Sequence, residues 1–181
     1  MTENILLAGQ GGQGMILLGK LLAGMAMKAD LHTTYFPSYG TEVRGGTAHC
    51  HVKVCDEEIY LPNVERATVL IIMNQQSMDR FGPRLQAGGL LLVNSSMVHP
   101  PDELPAGVRL HALPVTQTAH DLGDVRVGNM VMLGAYQAAS EWLTAENIES
   151  YLSRTMTGRK AALLPLNRQA VAAGVRAVGS G

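Results

Sequence analysis

Apolar positions in this chain fall into short runs separated by glycines and longer stretches with helical period. Residues 4–8 carry the compact apolar run Ile5-Leu6-Leu7-Ala8, the pattern of a buried first strand. The run breaks at Gly9-Gln10-Gly11-Gly12-Gln13-Gly14, and from Gln13 to Ala29 the pattern is helical. Lys20 and Lys28 are the only charges in that stretch before its end, so it lacks the polar stripe of a helix with a single buried face. The expectation is a helix packed on its sheet and also on a neighbouring chain, with Gly19, Ala23, Gly24 and Ala26 allowing close approach. A fully internal helix is the alternative.

Further along, His32 to Phe36 is a short β-prone segment that enters a second glycine-rich loop, Pro37 to Gly46. Thr47 to Val54 alternates, with Ala48, Cys50, Val52 and Val54 on one face and Thr47, His49, His51 and Lys53 on the other. This reads as a half-exposed strand. Asp56-Glu57-Glu58 reads as a turn and Ile59-Tyr60-Leu61 as the return strand of a hairpin ended by Pro62. Thr68 to Met73 and Leu90 to Val93 are continuous apolar runs, suited to strands buried on both faces. Val108 to Leu113 is a weaker strand. Helices are expected over Gln75 to Phe81, Val115 to Leu122, Asn129 to Leu143, Ala145 to Arg154 and Pro165 to Val178, with Thr144 as an N-cap. With no linker, repeat or low-complexity tract, residues 1–181 are read as one domain. The fold class is α/β: a three-layer, Rossmann-like, mostly parallel sheet with an inserted antiparallel hairpin near residues 47–61.

Composition narrows the function. The net charge of −1 gives no electrostatic case for nucleic acid or an anionic membrane. Charged residues make up only 16%, too few to coat the surface, so part of it is expected to be covered by partner subunits. Two cysteines, Cys50 and Cys55, are too few for a disulfide framework or an iron–sulfur cluster. No run has the length of a transmembrane helix, and a first strand at residue 4 leaves no room for a signal peptide, so a cytoplasmic location is expected.

Gly9, Gly11 and Gly14 fit the G-x-G-x-x-G spacing that brings a backbone close to a phosphate at a helix N-terminus. A dinucleotide site also needs a carboxylate at the end of the second strand, and the chain has Phe36 and Pro37 there. Asp30 lies before that strand, out of reach. No Gly-Lys-Ser/Thr ends the turn, so a Walker-type loop fails as well. The glycines could instead serve only tight packing of helix on sheet. His49 and His51 share a face without a third ligand, so they do not make a metal site. Asn94-Ser95-Ser96 follows a buried strand at the end where α/β sheets bind ligands, but no base accompanies the serines. In the second loop, Arg44 could grip a phosphate or carboxylate through its planar fork, or pair with Glu42 or a partner subunit.

Together, Gly9-Gln10-Gly11-Gly12-Gln13-Gly14 and Pro37-Ser38-Tyr39-Gly40-Thr41-Glu42-Val43-Arg44-Gly45-Gly46 resemble the gamma subunit of 2-oxoacid:ferredoxin oxidoreductases, and the order of segments is similar over the whole chain. The resemblance implies a subunit, inactive alone, of a complex that oxidatively decarboxylates a 2-oxoacid to an acyl-CoA and reduces ferredoxin. It implies thiamine diphosphate, magnesium and iron–sulfur clusters elsewhere in that complex, and none in this chain. Alpha and beta subunits, and a delta subunit in some assemblies, are the implied partners, with a contact between two copies of this chain also expected. Coenzyme A is the implied cosubstrate. Gly9, Gly11, Gly12, Gln13, Gly14, Ser38, Tyr39, Gly40, Glu42, Arg44, Gly45 and Gly46 become its expected contacts, or contacts to partner subunits. Fused single-chain relatives carry lysines in the region resembling Thr41 to Arg44, where this chain has only Arg44 as a base. The competing readings are a stand-alone nucleotide-binding oxidoreductase and a purely architectural subunit. Both glycine loops are expected at one edge of the sheet.

Overall fold

The computed structural model describes residues 1–39 and 47–179, the side chain of Tyr39 excepted. The elements follow in the order β1 (Thr2–Gln10), α1 (Met15–Lys28), β2 (His32–Tyr39), β3 (Thr47–Cys55), β4 (Ala67–Ile72), α2 (Gln75–Phe81), β5 (Leu85–Asn94), β6 (Arg109–Leu113), α3 (Val115–Asp121), α4 (Gly128–Ala139), α5 (Ala145–Thr155) and α6 (Leu164–Gly179). A 3-10 turn, Gly82–Arg84, joins α2 to β5. The strands form one six-stranded sheet in the order β2-β3-β1-β4-β5-β6. β3 pairs antiparallel with both β1 and β2, while β1, β4, β5 and β6 pair in parallel. β3 alone therefore runs against the other strands.

Alternation along each strand divides the core. On one face, Ile5, Leu7, Cys50, Val52, Ile71 and Leu92 pack under α1, α4, α5 and α6. On the other, Leu6, Ala8, Leu70, Ile72, Leu91 and Val93 pack under Met78 and Phe81 of α2 with Val64 and Val98. The result is three unequal layers, the first face thickly covered and the second thinly. Among the helix ends, the Thr144 hydroxyl accepts the Asn147 N–H at 3.1 Å, and the Asn147 side chain returns the contact to the Thr144 N–H in a capping box.

The structure corrects several expectations. Ile59-Tyr60-Leu61 is not a strand, and Tyr60 and Leu61 are exposed. The antiparallel hairpin is β2–β3, and β3 takes its second partner from β1 rather than from residues after it. β3 is buried on both faces: His49 is 8% and His51 4% exposed, because Phe81 and the Val64 segment cover the face that reads as polar. α4 stops at Ala139, where Ser140 turns extended (φ −96°, ψ 147°). Trp142 and Leu143 remain buried beyond it. The outer face expected for α1 shrinks to Leu17 and Met27 beside its two lysines, since β2, β3, α4 and α5 cover the rest.

Candidate functional site at the carboxyl edge of the sheet

From β1 the chain crosses through α1 on one face toward β2, and from β4 it crosses through α2 on the other face toward β5. The crossovers diverge at the carboxyl ends of β1 and β4, the arrangement that opens a ligand crevice in α/β sheets. The first glycine loop sits there. Its turn closes with the Gln13 N–H donating to the Gln10 carbonyl at 3.1 Å. The Gln13 side chain folds inward: its Oε1 accepts the Gln10 N–H at 2.7 Å, and its Nε2 donates to the Met73 carbonyl at 3.4 Å and contacts the Met97 sulfur at 3.5 Å. Gly12 (φ 94°) and Gly14 (φ 75°) adopt backbone that L side chains rarely take, and a Cβ at Gly14 would press on Asn129. Gly11 has neither constraint: its φ is not positive, it is exposed, and a Cβ there would meet no described residue within 4 Å.

Neighbouring strand ends are tied to the same point. Asn94, fully buried at the end of β5, donates to the Met73 carbonyl at 3.3 Å and to the Thr116 hydroxyl at 2.8 Å, while its Oδ1 accepts the Thr116 and Ser96 N–H groups. Met73 thus receives both Gln13 and Asn94, fixing β1, β4 and β5 relative to each other. The sequence marks Asn94 only as a strand end. Its bracing role depends on Thr116, 22 residues away, which no local pattern reveals.

Of the second loop, Gly40, Glu42, Arg44, Gly45 and Gly46 lie outside the described residues, together with Thr41 and Val43. Its flanks are placed: Ser38 pairs with His49, Tyr39 with Ala48, and Thr47 with Gln10. The flanks of the second loop and the start of the first therefore meet at one sheet edge. Two open grooves, of about 370 and 600 Å³, lie elsewhere and are lined by no residue of the first loop nor by Ser38. A ligand on Gly11 and Gly12 would rest on an open ledge.

The Cys50 thiol is buried, donates to the Met15 carbonyl at 3.3 Å and is pushed up to about 12 by desolvation, so it is not a nucleophile. Cys55 is buried near Thr2, five residues along the same strand. No group of three His, Cys, Asp or Glu that could hold a metal exists among the described residues. A dinucleotide fits no better. Antiparallel β3 occupies the place beside β1 where the ribose-binding second strand would lie, and Asp30 sits at the far end of α1. No helix among the described residues is long and apolar enough to cross a membrane.

Comparison with known proteins agrees with this architecture. Residues 4–177 match the family model described as pyruvate ferredoxin/flavodoxin oxidoreductase. The chain is 33% identical over 169 residues to the ketoisovalerate oxidoreductase subunit VorA of Methanothermobacter thermautotrophicus, covering 93% of this chain and 35% of that protein. It is 34% identical over 163 residues to the 2-oxoglutarate synthase subunit KorC of Methanothermobacter marburgensis, covering 86% of this chain and 87% of that one. Among solved structures, 2-oxoglutarate:ferredoxin oxidoreductase from Magnetococcus marinus, with 2-oxoglutarate, coenzyme A and succinyl-CoA bound, superimposes with a TM-score of 0.89 at 25% identity, over 99% of this chain and 31% of that one. The keto/oxoacid ferredoxin oxidoreductase gamma subunit from Geobacter sulfurreducens gives 0.83 at 28% identity over 99% of both chains. The chain thus spans about a third of the VorA and Magnetococcus proteins and nearly all of the KorC and Geobacter ones. On its sequence and its fold alike, the chain belongs to the pyruvate ferredoxin/flavodoxin oxidoreductase family.

Proposed function

We propose that this chain is the gamma subunit of a heteromeric 2-oxoacid:ferredoxin oxidoreductase and completes the coenzyme A side of its active site. In this reading the complex converts a 2-oxoacid and coenzyme A to an acyl-CoA and carbon dioxide while reducing ferredoxin. Thiamine diphosphate, magnesium and the iron–sulfur clusters belong to the alpha, beta or delta subunits. The first glycine loop, Ser38, Tyr39 and the segment from Gly40 to Gly46 face coenzyme A or the subunit that holds it, with Arg44 as the anion contact. A second copy of the chain is a further partner of the assembled enzyme.

The observation that carries this reading is the open ledge at Gly11 and Gly12. It lies at the crevice end of the sheet, and no described residue stands within 4 Å of a Cβ at either glycine. A ledge of this kind is one wall of a site whose other walls come from elsewhere. Full-length correspondence with a gamma subunit, and a coenzyme A-bound relative of the same fold, support it. The test is reconstitution with the partner subunits. The chain alone is expected to show no 2-oxoacid- and coenzyme A-dependent reduction of ferredoxin, and Arg44→Ala in the complex is expected to raise the KM for coenzyme A. Activity from this chain by itself would overturn the reading. An unchanged KM with intact assembly would leave it an architectural subunit.

A further inference from the structure

The second face of the sheet is the thinly covered one, and the groove of about 370 Å³ opens on it. One wall is α2 with the turn after it, and the other is the segment 99–105 that follows Val98. The floor is the rim of the second-face core: Met78 is buried there, and Leu104 packs against the same core from the opposite wall. Gln75 ties the walls together. Its Nε2 donates to Asp79 Oδ1 at 2.8 Å within α2, and its Oε1 accepts the His99 N–H at 2.8 Å across the groove. Pro83, Pro101 and Pro105 stiffen the rim, since each fixes its own φ. The groove is therefore preformed, and a partner entering it loses little to the ordering of this chain.

The groove also has a sign. Asp79 stands on one wall and Glu103 on the other, both exposed, with exposed Asp102 next to Glu103 in the chain. No lysine or arginine is among its lining residues. Among the described residues, neither carboxylate pairs with a cation. Arg80, one position after Asp79, reaches to Thr47 instead and donates to its hydroxyl at 3.0 Å. An apolar floor between two such carboxylates complements a side chain with an apolar stem and a cationic end, the form of lysine and arginine. The open mouth suits a segment of a folded partner, whereas small ligands are held by pockets that enclose most of their surface.

We propose that this groove docks a lysine- or arginine-bearing segment of a subunit that assembles with this chain. The cationic end lies between Asp79 and Glu103, and the stem rests on Met78 and Leu104. The groove shares no lining residue with the first glycine loop. The inference rests on the subunit reading above and adds to it a surface and the charge of the partner that covers it.

The test is titration of the full chain with the alpha and beta subunits of the reconstituted complex, followed by calorimetry at low and at moderate salt. Asp79→Asn with Glu103→Gln should weaken association by about tenfold or more at low salt and flatten its salt dependence. Glu103→Lys, a change at one exposed loop position, should weaken it further by placing like charges together. Glu57→Gln with Glu58→Gln, an equal loss of charge on the exposed turn after β3, should leave association unchanged. Thermal midpoints of the isolated variants verify that each is folded. Normal association by the neutralised pair and by Glu103→Lys overturns the proposal and leaves the subunit reading standing. Equal weakening by the Glu57 and Glu58 pair also overturns it, since general charge would then account for the effect. Failure of the unaltered chain to associate with these subunits overturns the subunit reading and this surface together.

Discussion

Glycine is used in two different ways in this molecule. At the crossing of α4 and α6, a Cβ on Gly134 would overlap the Val171 carbonyl, and one on Gly174 would overlap the Val131 carbonyl. Backbone lies against backbone, and the reason for glycine is wholly internal. In the first loop, Gly12 and Gly14 are set by their φ angles, while no described residue constrains Gly11. One site glues two helices together, and the other leaves its surface bare. The same residue type therefore reports fold in one place and, on our reading, an external contact in the other.

Four expected outcomes grade that contrast. Gly134→Ala should have the largest effect, a loss of about 3 kcal/mol or more, because rigid backbone cannot move aside; urea denaturation measures it, and a loss under about 1 kcal/mol would mean the helices slide freely. Second is the acid response of the buried histidines. Burial, and then the neighbouring charges, hold both below the ordinary range, with His49 at about 4. The folded chain then binds these protons more weakly than the unfolded one. Stability is full above about pH 6.5, falls as pH drops below it and levels off below about pH 4, for a loss of about 3 kcal/mol at His49. Denaturation curves across that range should show the slope, and His49→Asn should flatten it. Third, Gly12→Ala should cost about 1–2 kcal/mol from its backbone angle alone. Smallest of all, Gly11→Ala should change stability by less than about 0.5 kcal/mol.

Much of the fold is legible because its signals are local. β4 is close to its apolar run, α5 has its Thr144 cap and α6 an amphipathic pattern, and all three stand close to where the pattern puts them, while β5 begins at Leu85, before the apolar run Leu90 to Val93. What escapes the sequence is pairing. Ile59-Tyr60-Leu61 has the composition of a strand, but β3 is already flanked by β1 and β2 and has no edge left to offer. The same insertion misleads the reading of His49 and His51. Alternation of polar and apolar residues implies a wet face, whereas a strand enclosed on both sides, with Phe81 laid over it, buries both rings. α1 misleads in the opposite sense. Its nearly continuous apolar surface is consumed by β2, β3, α4 and α5 within the chain, leaving little for a neighbour. At the candidate site, the glycine spacing and its strand-to-helix setting are visible from sequence, while the inward lock of Gln13 and the bracing by Asn94 depend on residues 60 and 22 positions away.

The most direct measurement concerns Gly11. With Gly11→Glu, the thermal midpoint of the isolated chain and the KM for coenzyme A of the reconstituted complex are determined side by side. The account predicts an unchanged midpoint and a KM raised by about tenfold or more, since a bulky anion would stand on the ledge that faces the cosubstrate. An unchanged KM in a complex that assembles normally would contradict it.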